Sequence, residues 1–299
     1  MRKKGILIFA ICLLMAAGIA AAITIYSRPA EKMVTRTSIF SWSDDLLSDK
    51  EKRASLDHAA EQLSIGRVFQ AFPKEPDQKE TEKFVKHLNR DGRLCYGLLG
   101  KPQWAQDRGL AEAEGRMEAL AAYNEQAADG EKLAGVVLDI EPYLLEQWGQ
   151  DRQTVMAAFL ENMKALYQYA QEKELYTIIC VPYWFDNDYS GILESLIQDA
   201  CDELAVMNYY VGEEYSHIET ELGMCKKAGK PIISITEFQS PGYHDLTDEI
   251  TYYNRGLSAA QDMFEQMKEQ IRYKDLSFSY HCLEPVLELL EDTQGDSKK

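Results

Sequence analysis

The chain has 299 residues, which is enough for one large α/β barrel or for two smaller domains. Its formal net charge at pH 7 is −17, so it lacks the basic face that phosphate groups require, and nucleic-acid binding is excluded. A strongly acidic chain suits a neutral or cationic ligand better than an anionic one.

The first 26 residues are predicted to be a membrane anchor and not part of the fold. Residues 2–4 are basic, and residues 5–26 form an uncharged, almost wholly apolar run that is long enough to span a bilayer as a helix. The basic end should stay in the cytoplasm, which predicts a single-pass protein of the cell membrane with its folded part outside the cytoplasm. Alanines around residues 17–22 leave cleavage and secretion as the alternative.

Beyond the anchor we predict a polar linker over residues 27–36, a folded domain over 37–291 and a polar tail over 292–299. Five of the six cysteines lie outside the anchor, and Cys95, Cys180 and Cys282 fall within apolar runs. No spacing resembles a zinc site or a CxxC redox pair. We therefore interpret these cysteines as small buried hydrophobic residues and not as a disulfide framework.

Eight short apolar runs are predicted to be strands, and amphipathic segments between them are predicted to be helices. Strands that alternate with helices indicate a parallel sheet, and eight such repeats in about 250 residues are typical of a (β/α)8 TIM barrel. A doubly wound open sheet is the second choice, because no glycine-rich phosphate loop follows any strand. The predicted strands lie near residues 37–42, 65–72, 93–99, 133–141, 176–184, 203–210, 231–238 and 276–282.

The fourth run, from Gly135 to Pro142, carries the main chemical signal. Side chains alternate along a strand, so Val137, Asp139 and Glu141 should share one face. Two neighbouring carboxylates cannot both ionise freely, so one of them can hold a proton near neutral pH. The alternative interpretation is a solvated strand end or a structural ion pair.

Aromatic, amide and carboxylate side chains recur at the predicted strand ends, where a barrel places its active site. Sugar rings stack on aromatic side chains, and their hydroxyls bind carboxylates and amides. We therefore predict an oligo- or polysaccharide partner, although core packing of the aromatic residues and a structural role for the histidine stay open. The predicted substrate contacts are Trp42, Tyr183, Trp184, Asn208, Tyr210, Tyr280 and His281.

Glycoside hydrolysis needs an acid for the leaving oxygen and a second group near the anomeric carbon. Glu141 is the predicted general acid/base. Asp139 could stabilise a charged intermediate formed by an N-acetyl group, or Glu237 could attack directly if it lies close enough across the barrel mouth; Glu237 could also be a rim residue that only forms hydrogen bonds. No histidine pair has metal-ligand spacing, so neither a metal nor another cofactor is predicted.

The motif GVVLDIEP resembles the fourth-strand signature DGxDxDxE of family 18 glycoside hydrolases. Gly135, Asp139 and Glu141 match it, whereas Ala134 and Val137 replace its first two aspartates. AVMNYY is similar to the sixth-strand pattern Met-x-Tyr-Asp of that family through Met207 and Tyr209, with Tyr210 in place of the aspartate. The resemblance implies that Glu141 is the acid, that Asp139 steers the acetamido group and that Tyr209 donates a hydrogen bond to it.

These observations predict a glycoside hydrolase that acts on cell-surface or extracellular glycans. A non-catalytic glycan-binding barrel of the cell envelope is the alternative, because part of the acid set of the family is replaced. A structural envelope protein, the third possibility, would bind no sugar.

Overall fold

Eight parallel strands close into a barrel in the computed structural model, which describes residues 36–296. Each strand pairs with the next one along the chain, and the last pairs with the first through Ile39 and Tyr280. The (β/α)8 prediction is therefore confirmed, and each predicted run contains one strand. The strands are β1 Ser38–Ser41, β2 Arg67–Ala71, β3 Leu94–Leu99, β4 Gly135–Leu138, β5 Tyr176–Pro182, β6 Glu203–Met207, β7 Ile232–Glu237 and β8 Leu276–His281.

Side-chain alternation divides the core into two layers. One layer fills the inside of the barrel with apolar residues from facing strands, among them Phe40, Phe69 and Val137. The other layer lies between the strands and the surrounding helices, and it includes the neighbours Ile39, Val68 and many helical residues. Both faces of the strands are thus buried, as expected for a parallel sheet that helices cover.

Within residues 36–296, eight α-helices surround the barrel. Aspartates at positions 49, 77 and 151 cap three of them by accepting hydrogen bonds from backbone N–H groups of the first turn. The helices are α1 Lys50–Gln62, α2 Gln78–Arg90, α3 Asp107–Gln126, α4 Arg152–Glu172, α5 Phe185–Asp199, α6 Glu219–Ala228, α7 Gly256–Ile271 and α8 Leu283–Asp296. The last helix continues to Asp296, beyond the point at which the sequence predicted the tail to begin.

A buried ion pair closes the amino-terminal end of the barrel. Arg67 at the start of β2 and Glu203 at the start of β6 are joined at 2.9 Å, and their side chains are 4% and 1% exposed. Arg36 contacts the other oxygen of Glu203 at 2.9 Å, and Ser277 accepts a hydrogen bond from Arg67. Paired buried charges and an apolar interior leave the opposite, carboxyl-terminal end of the barrel as the place for a site.

No helix within residues 36–296 combines the length and the apolar character needed to cross a bilayer. The predicted anchor over residues 1–26 and residues 27–35 of the linker lie outside the described residues, so the anchor stays a prediction. The five cysteines within the described part, Cys95, Cys180, Cys201, Cys225 and Cys282, are buried free thiols, which confirms their interpretation as small core residues.

Candidate active site

A cavity of about 740 Å³ opens at the carboxyl-terminal ends of the strands. This volume lies within the range of about 300–1,000 Å³ that is common for small-ligand sites. Six of the eleven residues that the sequence singled out line it: Trp42, Asp139, Glu141, Tyr209, Glu237 and His281.

Strand alternation explains why these residues meet. Phe40, Val137, Met207 and Ile235 belong to the inner layer of the barrel. The residue two positions further along each chain segment faces the same way and reaches the mouth. These residues are Trp42, Asp139, Tyr209 and Glu237, and all four line the cavity.

The Asp139–Glu141 pair lies just beyond the end of β4, which stops at Leu138, earlier than predicted. The backbone N–H of Asp139 still donates to the carbonyl oxygen of Leu99 at 2.8 Å, so β3 continues to hold the segment. Gly100 packs so tightly here that a Cβ at this position would lie 2.0 Å from the carbonyl oxygen of Asp139. A side chain at position 100 would therefore displace the carboxylate pair.

Asp139 is a carboxyl group in the cavity whose pKa is shifted to near neutrality. Its Oδ1 atom is buried and accepts no hydrogen bond. Burial raises the pKa of Asp139 to about 7, and the negative charge of Glu141 contributes in the same direction, while His281 opposes the shift. The pair can therefore hold a proton near neutral pH, as the sequence predicted.

Tyr143 holds the Glu141 side chain, and the sequence did not identify it. Its hydroxyl donates a hydrogen bond to Glu141 Oε2. Burial raises the pKa of Tyr143, so the phenol keeps its proton. Its position two residues after Glu141, beyond Pro142, was the available signal, because a short 3₁₀ turn at Pro142–Leu144 brings the ring back over the carboxylate.

Glu237 does not have the environment of a nucleophile. Its side chain is 2% exposed, and its Oε1 accepts hydrogen bonds from the backbone N–H groups of Phe238 and Gln239 at 2.8 and 2.7 Å. The other oxygen, Oε2, lies 2.8 Å from Nδ1 of His281. A carboxylate that is buried and bonded on both oxygens is held in place and is poorly suited to attack an anomeric carbon. These hydrogen bonds disfavour direct attack by Glu237 and favour the alternative of a rim residue that only forms hydrogen bonds.

Tyr209 lies at the mouth with its ring 6.0 Å from that of His281. Burial, together with the negative charges of Glu237 and Asp139, raises the pKa of Tyr209 well above its ordinary value. The hydroxyl therefore stays protonated and can act as a hydrogen-bond donor in the cavity.

Tyr280 and Asn208 were predicted as substrate contacts, but the structure places both away from the cavity. Each precedes an inward-facing residue by one position, so alternation turns it toward the helices. Tyr280 is 1% exposed, with its ring 5.2 Å from that of Phe238. Asn208 is also 1% exposed and donates to the carbonyl oxygen of Glu214 and to Ser234 Oγ.

The other three predicted contacts, Tyr183, Trp184 and Tyr210, lie beside the cavity and not in its wall. Trp184 packs behind Tyr143, with ring centroids 5.5 Å apart. Tyr183 stacks on His217 at 4.1 Å and contacts Tyr210 edge-on at 5.8 Å. These side chains belong to aromatic clusters next to the site. Of these clusters, the one with Trp184 packs against Tyr143, which in turn holds Glu141.

Leu144 and Tyr243 lie on loops and line the cavity, although the sequence did not single them out. Trp42, Leu144 and Tyr243 are the large hydrophobic side chains that remain exposed in the described part of the chain, and all three line this cavity. The wall also carries Glu284 and Glu288 from α8, and no lysine or arginine is among the lining residues. The cavity therefore combines exposed apolar surface with an acidic wall.

Within residues 36–296, one group of side chains could share a metal ion: Asp57, His87 and Asp91. It lies outside the cavity, and the guanidinium of Arg93 already contacts Asp57 at 2.7 Å and Asp91 at 3.6 Å. That positive charge disfavours a cation at this place.

A second buried acid, Glu221 on α6, lies outside the cavity. It is 0% exposed, and neither carboxylate oxygen accepts a hydrogen bond from another residue. Burial raises its pKa from 4.5 to about 8, and the negative charge of Asp186 adds to the shift. Between these two pKa values the folded chain holds a proton that the unfolded chain releases, so the free energy of unfolding falls as the pH rises through this window.

Glu221→Gln removes this titration. When the pH rises from about 5 to about 8, the wild type should lose about 3 kcal/mol more of its free energy of unfolding than the variant does. Urea unfolding at both pH values measures the difference. Glu219→Gln, an exposed position on the same helical turn, should keep the wild-type pH dependence. Parallel pH dependence of the Glu221→Gln variant and the wild type would contradict the prediction.

No protein-family model matches the sequence, and no curated protein matches it. Solved structures do match. A family 18 (GH18) chitinase from Pseudoalteromonas aurantia shares 12% identity, with 86% of this chain and 98% of that chain covered and a TM-score of 0.54. The spore cortex-lytic enzyme SleL of Bacillus megaterium QM B1551 shares 10%, with coverage of 86% and 73% and a TM-score of 0.53.

A GH18 chitinase from Cycas revoluta, in complex with (GlcNAc)3, shares 10% identity, with 88% of this chain and 99% of that chain covered and a TM-score of 0.50. At these identities the comparisons establish the fold, which is the barrel of the family 18 glycoside hydrolases. They agree with the resemblance that the fourth and sixth strands carry in the sequence.

Proposed function

We propose that the chain is a glycoside hydrolase that cleaves a glycan containing N-acetylated amino sugars. The observation that carries the proposal is the Asp139–Glu141 pair, which lies at the end of β4 in a cavity with exposed aromatic walls. Burial and the neighbouring charge raise the pKa of Asp139 to about 7, so the pair holds one proton near neutral pH, and this is the proton that acid catalysis would use.

The residues suit a substrate-assisted mechanism. Glu141 donates a proton to the glycosidic oxygen as the bond to the anomeric carbon breaks, and the leaving oxygen takes the electron pair. The acetamido oxygen of the sugar bonds to the anomeric carbon, and the carboxylate of Asp139 stabilises the positive charge that this creates. Water then attacks the anomeric carbon and gives a proton to Glu141, while the bond between that carbon and the acetamido oxygen breaks and its electron pair returns to the oxygen. Tyr209 would donate a hydrogen bond to the acetamido group.

The position of Glu237 supports this mechanism over direct attack by a protein carboxylate. Both of its oxygens accept hydrogen bonds, and its side chain is 2% exposed. The acidic cavity wall favours neutral or cationic sugars over phosphorylated or uronic acid sugars. The complex of the structurally similar Cycas revoluta chitinase with (GlcNAc)3 makes N-acetylglucosamine oligosaccharides the first substrates to test.

The test is to incubate the full chain with (GlcNAc)3, (GlcNAc)4 and a purified bacterial cell-wall glycan, and to measure new reducing ends and product masses. Cleavage of any of them next to an N-acetylated residue supports the proposal. Release of sugars that carry no acetamido group, or no release from any of the three substrates, would overturn it.

A non-catalytic glycan-binding barrel is the second candidate function. It is favoured by Val137, which stands where the family has an aspartate and is fully buried in the inner layer, so no third acid supports the pair. This candidate predicts oligosaccharide binding without cleavage, which Trp42→Ala weakens and Glu141→Gln leaves unchanged. Isothermal calorimetry with the same oligosaccharides separates the two functions.

The place of action stays a proposal from the sequence. The basic residues 2–4 and the apolar run that follows them predict a barrel held at the outer side of the cell membrane. Digestion of intact cells with an external protease, followed by detection of the barrel, tests this location.

A further inference from the structure

A chain of hydrogen bonds crosses the rim of the cavity from β7 to the end of β1. Glu237 is anchored through Oε1 by two backbone N–H groups, and its Oε2 contacts His281 Nδ1 at 2.8 Å. On the other side of the imidazole, the indole N–H of Trp42 donates to His281 Nε2 at 3.2 Å. The chain therefore runs from the buried Glu237 to the exposed Trp42.

The chemistry of the three groups determines where the imidazole proton lies. An indole N–H can only donate, so Nε2 of His281 must be the acceptor. The proton of the neutral ring is then on Nδ1, and the Glu237 carboxylate accepts it. Glu237 thus selects the one neutral tautomer of His281 that can accept the indole hydrogen bond.

We propose that Glu237 and His281 are positioning residues that hold the Trp42 indole in the cavity wall as a stacking surface for a sugar ring. This inference rests on the proposed function. Trp42 is 40% exposed, a large apolar surface to leave in water unless it meets a ligand. Tyr243, 51% exposed, also lines the cavity and offers a second aromatic surface. One hydrogen bond at the indole nitrogen restricts the ring without covering its faces.

Protonation of His281 should release Trp42, because an imidazolium has no lone pair on Nε2. The charged groups that face His281 are Glu237 on β7 and the Asp139–Glu141 pair beyond β4; Phe40 and Tyr209 contact its ring without charge. Burial lowers the pKa of His281, but the hydrogen bond to Glu237 and the three negative charges outweigh it and raise the pKa above 6.5. The link should therefore hold on the alkaline side of that pKa and open on the acid side.

Glu237→Gln tests the assignment with little change in shape. The glutamine oxygen can still accept from the two backbone N–H groups, but its NH2 group then faces His281 Nδ1. Nδ1 must then accept a hydrogen bond, so the proton of the neutral ring moves to Nε2. The Nε2–H group and the indole N–H are both donors, so the hydrogen bond between them is lost. We expect the Trp42 indole signal in a ¹H–¹⁵N spectrum to lose its hydrogen-bonded shift and to exchange faster with water. The ¹⁵N shifts of His281 should report the other tautomer.

Two further variants assign the Trp42 signal and control for the change in charge. Trp42→Phe removes one of four indole signals and so assigns it, because the chain has four tryptophans. Glu265→Gln, which removes one exposed carboxylate paired with Lys268 on α7, controls for the change in net charge and should leave the Trp42 signal unchanged. An unchanged Trp42 signal and tautomer in Glu237→Gln would overturn the proposal.

The wild-type chain supplies a second measurement that needs no variant. A pH titration should move the Trp42 indole signal together with the His281 ring signals, and independent movement would also overturn the proposal. On a cleaved oligosaccharide, Glu237→Gln should raise KM about tenfold with kcat nearly kept, as loss of one stacking contact predicts. The spectra decide the positioning role even where no substrate is cleaved, so failure of the inference and failure of the proposed function are distinguishable.

Discussion

Glu141→Gln should lower kcat by about 10²- to 10⁴-fold, the usual contribution of a positioned proton donor. Glutamine keeps the shape of the side chain and can still accept the hydrogen bond from Tyr143, but it has no proton to give to the leaving oxygen. KM should change little, because the aromatic wall and the other polar groups of the cavity are untouched. Steady-state kinetics on the best oligosaccharide measures both constants.

Glu146→Gln is the matched control for this variant. Glu146 is exposed on the same loop after β4 and does not line the cavity, so its substitution should leave kcat unchanged. The urea unfolding midpoint should be the same for both variants and the wild type. If Glu141→Gln folds normally and turns over at the wild-type rate, Glu141 is not the acid and the proposed hydrolysis does not occur at this pair.

The barrel was predictable from the sequence because each strand is buried on both faces. Such strands appear as short apolar runs, and all eight runs contain a strand of the closed sheet. The helix boundaries were harder to predict from the sequence. Helix α3 begins at Asp107, but Gly109 and Gly115 weaken the helical pattern in its first turns. Gly109 is needed there, because it packs against the backbone of Gln103 where a Cβ would not fit. Tertiary packing overrides local propensity at this point.

Strand alternation determines which of the predicted residues line the cavity and which do not. Asp139, Glu141, Tyr209 and His281 reach the cavity because each continues an inward-facing series. Asn208 and Tyr280 precede such residues by one position and point to the helices. The same alternation would have excluded both as predicted substrate contacts. Tyr143 and Tyr243 come from loops, and no periodicity indicates where a loop side chain points.

The environment of Glu237 could not be inferred from the sequence. The sequence places a carboxylate at the end of β7, but it does not show whether the oxygens are free. In the structure, two backbone N–H groups and one imidazole contact these oxygens, and this observation favours the proposed positioning role over a nucleophile.

Asp139→Asn should lower kcat by about 10²- to 10³-fold, the typical cost of removing one group that stabilises charge in the transition state. Asparagine is nearly isosteric with aspartate but carries no negative charge for the intermediate that the acetamido group forms. The pH profile of kcat/KM should change as well. In the wild type the carboxyl pair releases its last proton near pH 7, since burial and the neighbouring charge of Glu141 raise the pKa of Asp139 to about 7.

Activity that needs a proton on this pair is therefore present below about pH 7 and lost above it. Asparagine at position 139 removes the group whose pKa is raised to about 7, so the alkaline limb of the profile should no longer lie near pH 7. Asp151→Asn, at the exposed cap of α4, is the control and should leave the limb in place. If Asp139→Asn keeps the wild-type limb while kcat falls, the limb belongs to another group, and His281, whose pKa is also raised, is the next to test.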